Sequence, residues 1–142
     1  MRLTVHPDDS FSKVLADIGQ EFHRLGVDPD SACDCYAIID EIHANMRHHV
    51  APGKAGFYWT LGLEARGSHL IMDFEYIGPC FDPSKPDIIT SQPIEERDIG
   101  GLGLAIVSAL SDDIRYSYNN GKNTLTVHKS FTNISMENSS CP

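Results

Sequence analysis

The chain has few cysteines, and their spacing excludes the usual zinc sites. Only four are present among 142 residues. Cys33 and Cys35 lie two apart on a predicted helix, so their side chains point in different directions and cannot form a close ligand pair. Cys80 falls in a predicted loop and Cys141 near the end, and no zinc-binding spacing relates them. We therefore predict reduced thiols without a joint role.

Basic residues and long apolar runs are also scarce. Eleven Lys and Arg stand against twenty Asp and Glu, a net charge of -9. An acidic surface repels nucleic acid phosphates, and no basic cluster offsets it. No apolar run approaches the roughly 20 residues of a membrane span, and no signal peptide pattern opens the chain. We expect a cytoplasmic protein that contacts neither nucleic acid nor membrane directly.

Hydrophobic periodicity predicts one domain of three helices and five strands. The predicted strands cover 2–5, 57–63, 69–76, 114–118 and 125–129. The first predicted helix begins after a cap at Asp8, Asp9 or Ser10 and ends at about Leu25. The second runs from Asp28-Pro29 to about Val50, and the third from about Gly101 to Leu110. Neighbouring strands form hairpins, so we predict an α+β fold: a two-layer α/β sandwich whose mixed, mostly antiparallel sheet carries three helices on one face. Residues 1–131 would form this domain. The polar tail 132–142 is predicted to be disordered, and the long connection 78–100 to be a lid.

The same patterns predict which side chains face the core. On the helices these are Phe11, Leu15, Ile18, Phe22, Leu25, Cys33, Ala37, Ile38, Ile42, Leu104, Val107 and Leu110. On the strand 69–76 they are Leu70, Met72, Phe74 and Tyr76, which alternate with more polar neighbours.

Polar residues interrupt the apolar side of the second helix. Glu41, Asn45 and His49 are spaced i, i+4 and i+8, which places a carboxylate, an amide and an imidazole along one side. A carboxylate and an amide oxygen one turn apart can hold a hydrated Mg²⁺ and orient a nucleophile. His43 and His48 are too poorly spaced to share an ion with His49, and we predict that both lie at the surface. Further along, Gly100-Gly101-Leu102-Gly103-Leu104 offers backbone N–H groups to phosphate at a predicted helix start.

Three motifs in order give the chain a resemblance to a known family. Glu41 to His49 matches an N box, Gly78-Pro79-Cys80-Phe81-Asp82-Pro83 a G1 box, and Gly101-Leu102-Gly103-Leu104 a G2 box. Over residues 8 to 130 the chain therefore resembles the GHKL, or Bergerat-fold, ATPases, and within them the anti-sigma factor serine kinases with their histidine-kinase-like ATPase domain.

The resemblance implies ATP and Mg²⁺ as cofactors and a role for each matched residue. Glu41 resembles the general base, Asn45 the Mg²⁺ ligand, and His49 a position near the phosphates. The other positions implied in nucleotide binding are Tyr76, Gly78, Phe81, Arg97, Gly100, Gly101, Leu102, Gly103 and Leu104. For Arg97, a solvated lid residue is an equal alternative. For the glycines, a lid hinge is compatible with phosphate binding.

One position departs from the family pattern. In the family that the chain resembles, an aspartate stands two residues before the first G1 glycine and is implied to read adenine. This chain has Tyr76 at that position. Glu75 has suitable chemistry but alternates to the opposite face of a regular strand unless a bulge re-aims it. Tyr76 can stack on the purine, accept a hydrogen bond, or fill the pocket.

Two functions follow from these residues, and a third is disfavoured. The first is an ATP-dependent serine protein kinase that acts as an anti-sigma factor, with a sigma factor and an antagonist protein as partners. The second is a degenerate binding module with weak or no nucleotide binding, which Tyr76 supports. A histidine kinase catalytic half needs a phosphoacceptor domain, for which these 142 residues leave no room. A second copy of the chain, forming a homodimer, is a further alternative as partner.

Overall fold

The computed structural model describes residues 1–79, 98–99 and 102–134, with side chains for 1–79 and 104–134. Most of the predicted lid, including Phe81, Arg97 and Gly100, lies outside the described residues, and so does Gly101. The same is true of Cys80, Cys141 and the tail from residue 135 onward.

Five long strands form one antiparallel sheet. The elements are, in chain order, β1 (Arg2–Val5), α1 (Phe11–Leu25), α2 (Pro29–Asn45), a π-helical turn (Met46–Val50), β2 (Trp59–Arg66), β3 (His69–Ile77), β4 (Asp98–Ile99), β5 (Leu102–Gly103), α3 (Ala105–Leu110), β6 (Asp113–Asn119) and β7 (Lys122–Ser130). The sheet order is β1-β2-β3-β7-β6, and every pairing is antiparallel. The short strands β4 and β5 pair with each other. The predicted α+β fold is confirmed.

The two faces of the sheet differ in polarity, because side chains alternate along each strand. The inner face carries Val5, Trp59, Leu61, Leu63, Leu70, Met72, Phe74, Tyr76, Leu125 and Val127, all buried. These side chains join buried residues of α1, α2 and α3 in one core. The outer face is mainly polar and includes Arg2, Thr60 and Glu75. The helices therefore cover one face of the sheet and leave the other to solvent.

The ends of α1 and α2 follow their local sequence. Gly26 adopts a left-handed φ of 74° after α1, the conformation that suits glycine at a helix end. Asp28 caps α2 by accepting a hydrogen bond from the Ser31 N–H, with Pro29 in the first helical position. Asn120 and Gly121 have φ of 53° and 80°, which a tight β6–β7 hairpin turn requires. The predicted ends and turn are confirmed.

The buried side of α2 was assigned wrongly in part. Cys33 and Ala37 are exposed, whereas Cys35, Ile38, Ile39 and Ile42 are buried. Cys33 lies two residues before Cys35, which is roughly 200° around a helix. The true stripe is centred on Cys35, and burial raises the pKa of that thiol to about 12.

Two boundaries also differ from the predictions. The third helix begins at Ala105 rather than Gly101, because Leu102–Gly103 pairs as a strand and glycine is a poor helix former. The predicted tail does not begin at Thr132, because its backbone exchanges hydrogen bonds with Asp28 and the Ile134 N–H donates to the Gly26 carbonyl. Residues 132–134 therefore belong to the folded part.

Candidate nucleotide site

The end of α2 places the two residues with the strongest catalytic signal side by side. The Asn45 Nδ2 donates a hydrogen bond of 3.3 Å to the Glu41 Oε1, across one helical turn. Asn45 is buried and Glu41 is partly exposed, so the pair sits where the helix layer meets solvent. The contact orders both side chains and leaves the carboxylate partly exposed.

A π-helical turn follows directly after Asn45. It covers Met46–Val50, and its end is marked by a hydrogen bond from the Ala51 N–H to the Met46 carbonyl, five residues back. Such turns take more residues than an α-helical turn and often occur at functional sites. The α-helical spacing that would align His49 with Asn45 therefore does not continue, and His49 is exposed. Its place near the phosphates stays a prediction.

The second glycine motif lies against this part of the helix layer. Strand β5, which contains Leu102 and Gly103, contacts both α2 and the π-helical turn. Leu104 follows and is buried in the core, and α3 packs on α2. The fold thus brings the G2 segment to the helix that carries Glu41 and Asn45, although the two segments lie about 60 residues apart in sequence.

Tyr76 occupies the core side of β3 at the place of the family aspartate. The residue is only 4% exposed, and its ring meets Phe57 edge to face, with ring centroids 6.4 Å apart. β3 pairs without interruption with β2 from His69 to Tyr76 and with β7 from His69 to Ile77, so no bulge re-aims Glu75. Glu75 points to the outer face, where it pairs with Arg2. Of the two residues, Tyr76 alone faces the helix layer.

Asn123 is a buried polar residue that the sequence patterns did not single out. It lies opposite Tyr76 on β7 and is fully buried. Its Nδ2 donates to the Gly78 and Pro79 carbonyls at 3.3 and 3.4 Å, and its Oδ1 accepts from the Tyr116 hydroxyl. Asn123 therefore fixes the start of the G1 segment. Its position just after the Asn120-Gly121 turn is the only sequence signal for this role.

The G1 backbone is held on a second side as well. The Gly78 N–H donates to the Gly121 carbonyl at 3.1 Å. A Cβ at position 78 would lie 3.0 Å from the Lys54 Nζ, so the glycine allows the ammonium group to approach closely. Lys54 is thus a cation beside the G1 segment that the motif comparison did not include.

His43 is buried, so its predicted surface position is wrong. Its ring stacks on Phe11 with centroids 4.9 Å apart and lies 5.8 Å from Trp59. Burial, followed by the nearby positive charge of Arg47, lowers the pKa of His43. Its Nδ1 has no hydrogen-bond partner among the described residues. The true buried stripe of α2 includes position 43, which explains the error. His48 is exposed, as predicted.

The described side chains hold no ready-made multidentate metal site. Within 1–79 and 104–134, no three His, Cys, Asp or Glu side chains converge on one point. Mg²⁺ does not need such a cluster beside a nucleotide, since waters and phosphate oxygens supply most of its ligands. One amide oxygen, as in Asn45, has the right chemistry. No helix in the described ranges has the length and apolar character needed to cross a membrane.

Comparisons with known proteins establish the fold. No protein-family model and no curated protein sequence matches the chain. Among solved structures, the RsbU and RsbW domains of Rv1364c from Mycobacterium tuberculosis match with a TM-score of 0.58 and 18% identity, over 92% of this chain and 32% of that one. The Acinetobacter baumannii histidine kinase AdeS matches with a TM-score of 0.50 and 18% identity, over 94% of this chain and 68% of that one. The chain spans about a third of the first structure, and it shares the fold of the matched domains.

Proposed function

We propose that the protein is an ATP-dependent serine protein kinase of the anti-sigma type. It would transfer the γ-phosphoryl group of ATP to a serine of an antagonist protein and bind a sigma factor as a second partner. The observation that carries the proposal is the Glu41–Asn45 pair at the end of α2, beside the strand that contains Gly103. The similarity in fold to structures described as an RsbW domain and a histidine kinase supports it.

In this proposal Glu41 acts as the base. Its carboxylate is partly exposed while Asn45 holds one oxygen, so the other is available to a serine hydroxyl. Phosphoryl transfer depends mainly on positioning and electrostatic stabilisation, and a carboxylate that orients the hydroxyl and accepts its proton meets that need. The serine oxygen would bond to the γ-phosphorus while the bond to the leaving ADP oxygen breaks.

Asn45 and the glycines would bind the charged end of the substrate. An amide oxygen such as that of Asn45 is the kind of ligand that Mg²⁺ prefers, and the ion would offset phosphate charge when bound. Backbone N–H groups of the G2 segment would contact the phosphates, because glycine lets a backbone approach closely. Leu104 anchors this segment in the core.

Transfer of labelled γ-phosphate tests the proposal. Wild type is incubated with γ-labelled Mg-ATP and a mixture of candidate antagonist proteins, and labelled phosphoserine is measured. We expect transfer that Asn45→Ala strongly reduces. Asn119→Ala, an exposed hairpin residue, serves as the matched control and should leave the rate unchanged. Transfer that Asn45→Ala does not affect would remove Asn45 from the site.

The burial of Tyr76 favours a second candidate function, a binding module without phosphotransfer. A ring at the place of the adenine-reading aspartate, packed against Phe57, removes the hydrogen bond that selects the base. In that case the protein would act on its partners by binding alone. Calorimetry with Mg-ATP separates the two functions, since only the kinase requires measurable binding.

A further inference from the structure

The outer face of the sheet contains a groove that the proposed function does not use. It has a volume of about 270 Å³ and is lined by Arg2, Tyr58, Thr60, Glu75, Tyr76, Ile77 and Lys122. It opens away from Glu41 and Asn45, because the helices cover the inner face of the sheet. The charged lining residues Arg2, Glu75 and Lys122 lie on the side of the sheet opposite the helix that carries Glu41 and Asn45.

The groove carries more positive than negative charge, since Arg2 and Lys122 face a single carboxylate, Glu75. The Arg2 Nη2 and the Lys122 Nζ approach the same Glu75 oxygen, at 2.5 and 3.5 Å. Two cations thus share one carboxylate, in a chain whose net charge is -9. Among the described residues of this face, Arg66 pairs with Glu64 and Arg115 with Asp113, so each of these arginines has a carboxylate of its own. The groove is therefore the place on this face that best complements an added anion.

The backbone beneath the groove makes room for the guanidinium group. A Cβ at Gly62 would lie 3.1 Å from the Arg2 Nη1, so the missing side chain lets Arg2 lie close to β2. Only one of its nitrogens contacts Glu75. The guanidinium group has five N–H donors in a fixed plane, which allows it to bind a second carboxylate as well.

Two apolar side chains flank these charges. Tyr58 is 48% exposed and Ile77 is 60% exposed, on a face that is otherwise mainly polar. Exposed aromatic and aliphatic side chains next to an arginine are typical of the energetically important part of a protein interface. The mixture suits a peptide segment better than a simple ion.

We propose that this groove, formed by Arg2, Tyr58, Thr60, Glu75, Ile77 and Lys122, docks an acidic segment of a partner protein. The segment would place a carboxylate between Arg2 and Lys122 and an adjacent apolar side chain against Tyr58 and Ile77. The proposal does not depend on nucleotide binding, so it can fail or hold independently of the kinase activity.

Titration of the whole chain with a defined peptide tests the proposal. The probe is the capped hexapeptide Gly-Phe-Glu-Leu-Glu-Gly, followed by amide NMR, and the comparison peptide carries Gln in place of both Glu. We expect saturable shifts at Thr60, Glu75, Ile77 and Lys122 with the acidic peptide and much weaker binding of the neutral one. No saturable shift at these residues, or equal binding of the two peptides, would overturn the proposal.

A charge-matched pair of double variants locates the interaction. Arg2→Glu with Lys122→Glu should weaken binding about tenfold or more. Arg66→Glu with Arg115→Glu makes the same change in net charge on the same face, outside the groove, and should change affinity less than twofold. Equal weakening by both pairs would mean that the overall field, not the groove, attracts the peptide. Arg2→Met with Lys122→Met keeps the aliphatic stems and should weaken binding in the same direction even if the charge reversals disturb folding.

Discussion

Replacing Tyr76 with aspartate introduces the residue that the ATPases resembled by the sequence have at this position, which faces the helix layer. The aspartate would accept a charge-assisted hydrogen bond from the exocyclic amine of adenine, worth about 1.5–3 kcal/mol. At 1.4 kcal/mol per decade, ATP affinity should rise roughly tenfold to more than a hundredfold. GTP, which lacks that amine, should gain nothing. The variant should also be less stable without ligand, because losing a buried aromatic ring costs about 3–5 kcal/mol.

Calorimetry with Mg-ATP and Mg-GTP on wild type and Tyr76→Asp measures this effect. The matched control is Glu75→Asp, which places an aspartate one residue away on the outer face and should leave nucleotide affinity unchanged. Unfolding experiments on both variants identify any loss of folded protein. If Tyr76→Asp changes neither ATP affinity nor the preference over GTP, position 76 does not read adenine in this protein.

Three further predictions concern single residues. Glu41→Ala should abolish phosphotransfer without unfolding the protein, whereas Asp40→Ala, a change at the exposed neighbouring residue, should have little effect. A transfer rate that survives in Glu41→Ala would leave Glu41 no role as base. Asp28→Ala should lower the free energy of unfolding by about 2–4 kcal/mol, since it removes hydrogen bonds to the Ser31 and Thr132 N–H groups. Burial raises the pKa of Asp28, but its hydrogen bonds outweigh burial and hold the pKa below its ordinary value. Stability from a lowered carboxyl pKa is lost as pH falls through the folded-state pKa, so urea unfolding should show the free-energy gap between wild type and variant narrowing at acidic pH. Lys129→Met should cost about 1–3 kcal/mol, because its Nζ donates to the Leu110 carbonyl and pairs with Asp34, each at 2.9 Å; an unchanged denaturation midpoint would contradict this.

Local sequence rules predicted most of the elements because each had its own signal. Asp28-Pro29 started α2, Gly26 ended α1, and the Asn120-Gly121 turn set the β6–β7 hairpin. The inner positions of β3 followed simple alternation. These features depend on neighbours in sequence, so a single chain is enough to predict them.

The errors came from features that depend on the tertiary structure. The buried side of α2 is decided by what packs on it. A small rotation of the helix about its axis is enough to bring His43 into the buried stripe or to leave it out. The role of Asn123 depends on the pairing of β3 with β7, which brings it to the carbonyls of Gly78 and Pro79, about 45 residues earlier in sequence. No local pattern contains that information.

Thermal unfolding with and without Mg-ATP tests the central claim most directly, because a ligand that binds only the folded state stabilises it. At a free concentration 100 times its dissociation constant, Mg-ATP should add about 2.7 kcal/mol to the free energy of unfolding of the wild type. In Asn45→Ala the same concentration should add much less. An unfolding curve that Mg-ATP leaves unmoved in the wild type, or moves equally in Asn45→Ala, would contradict a nucleotide site built on Asn45.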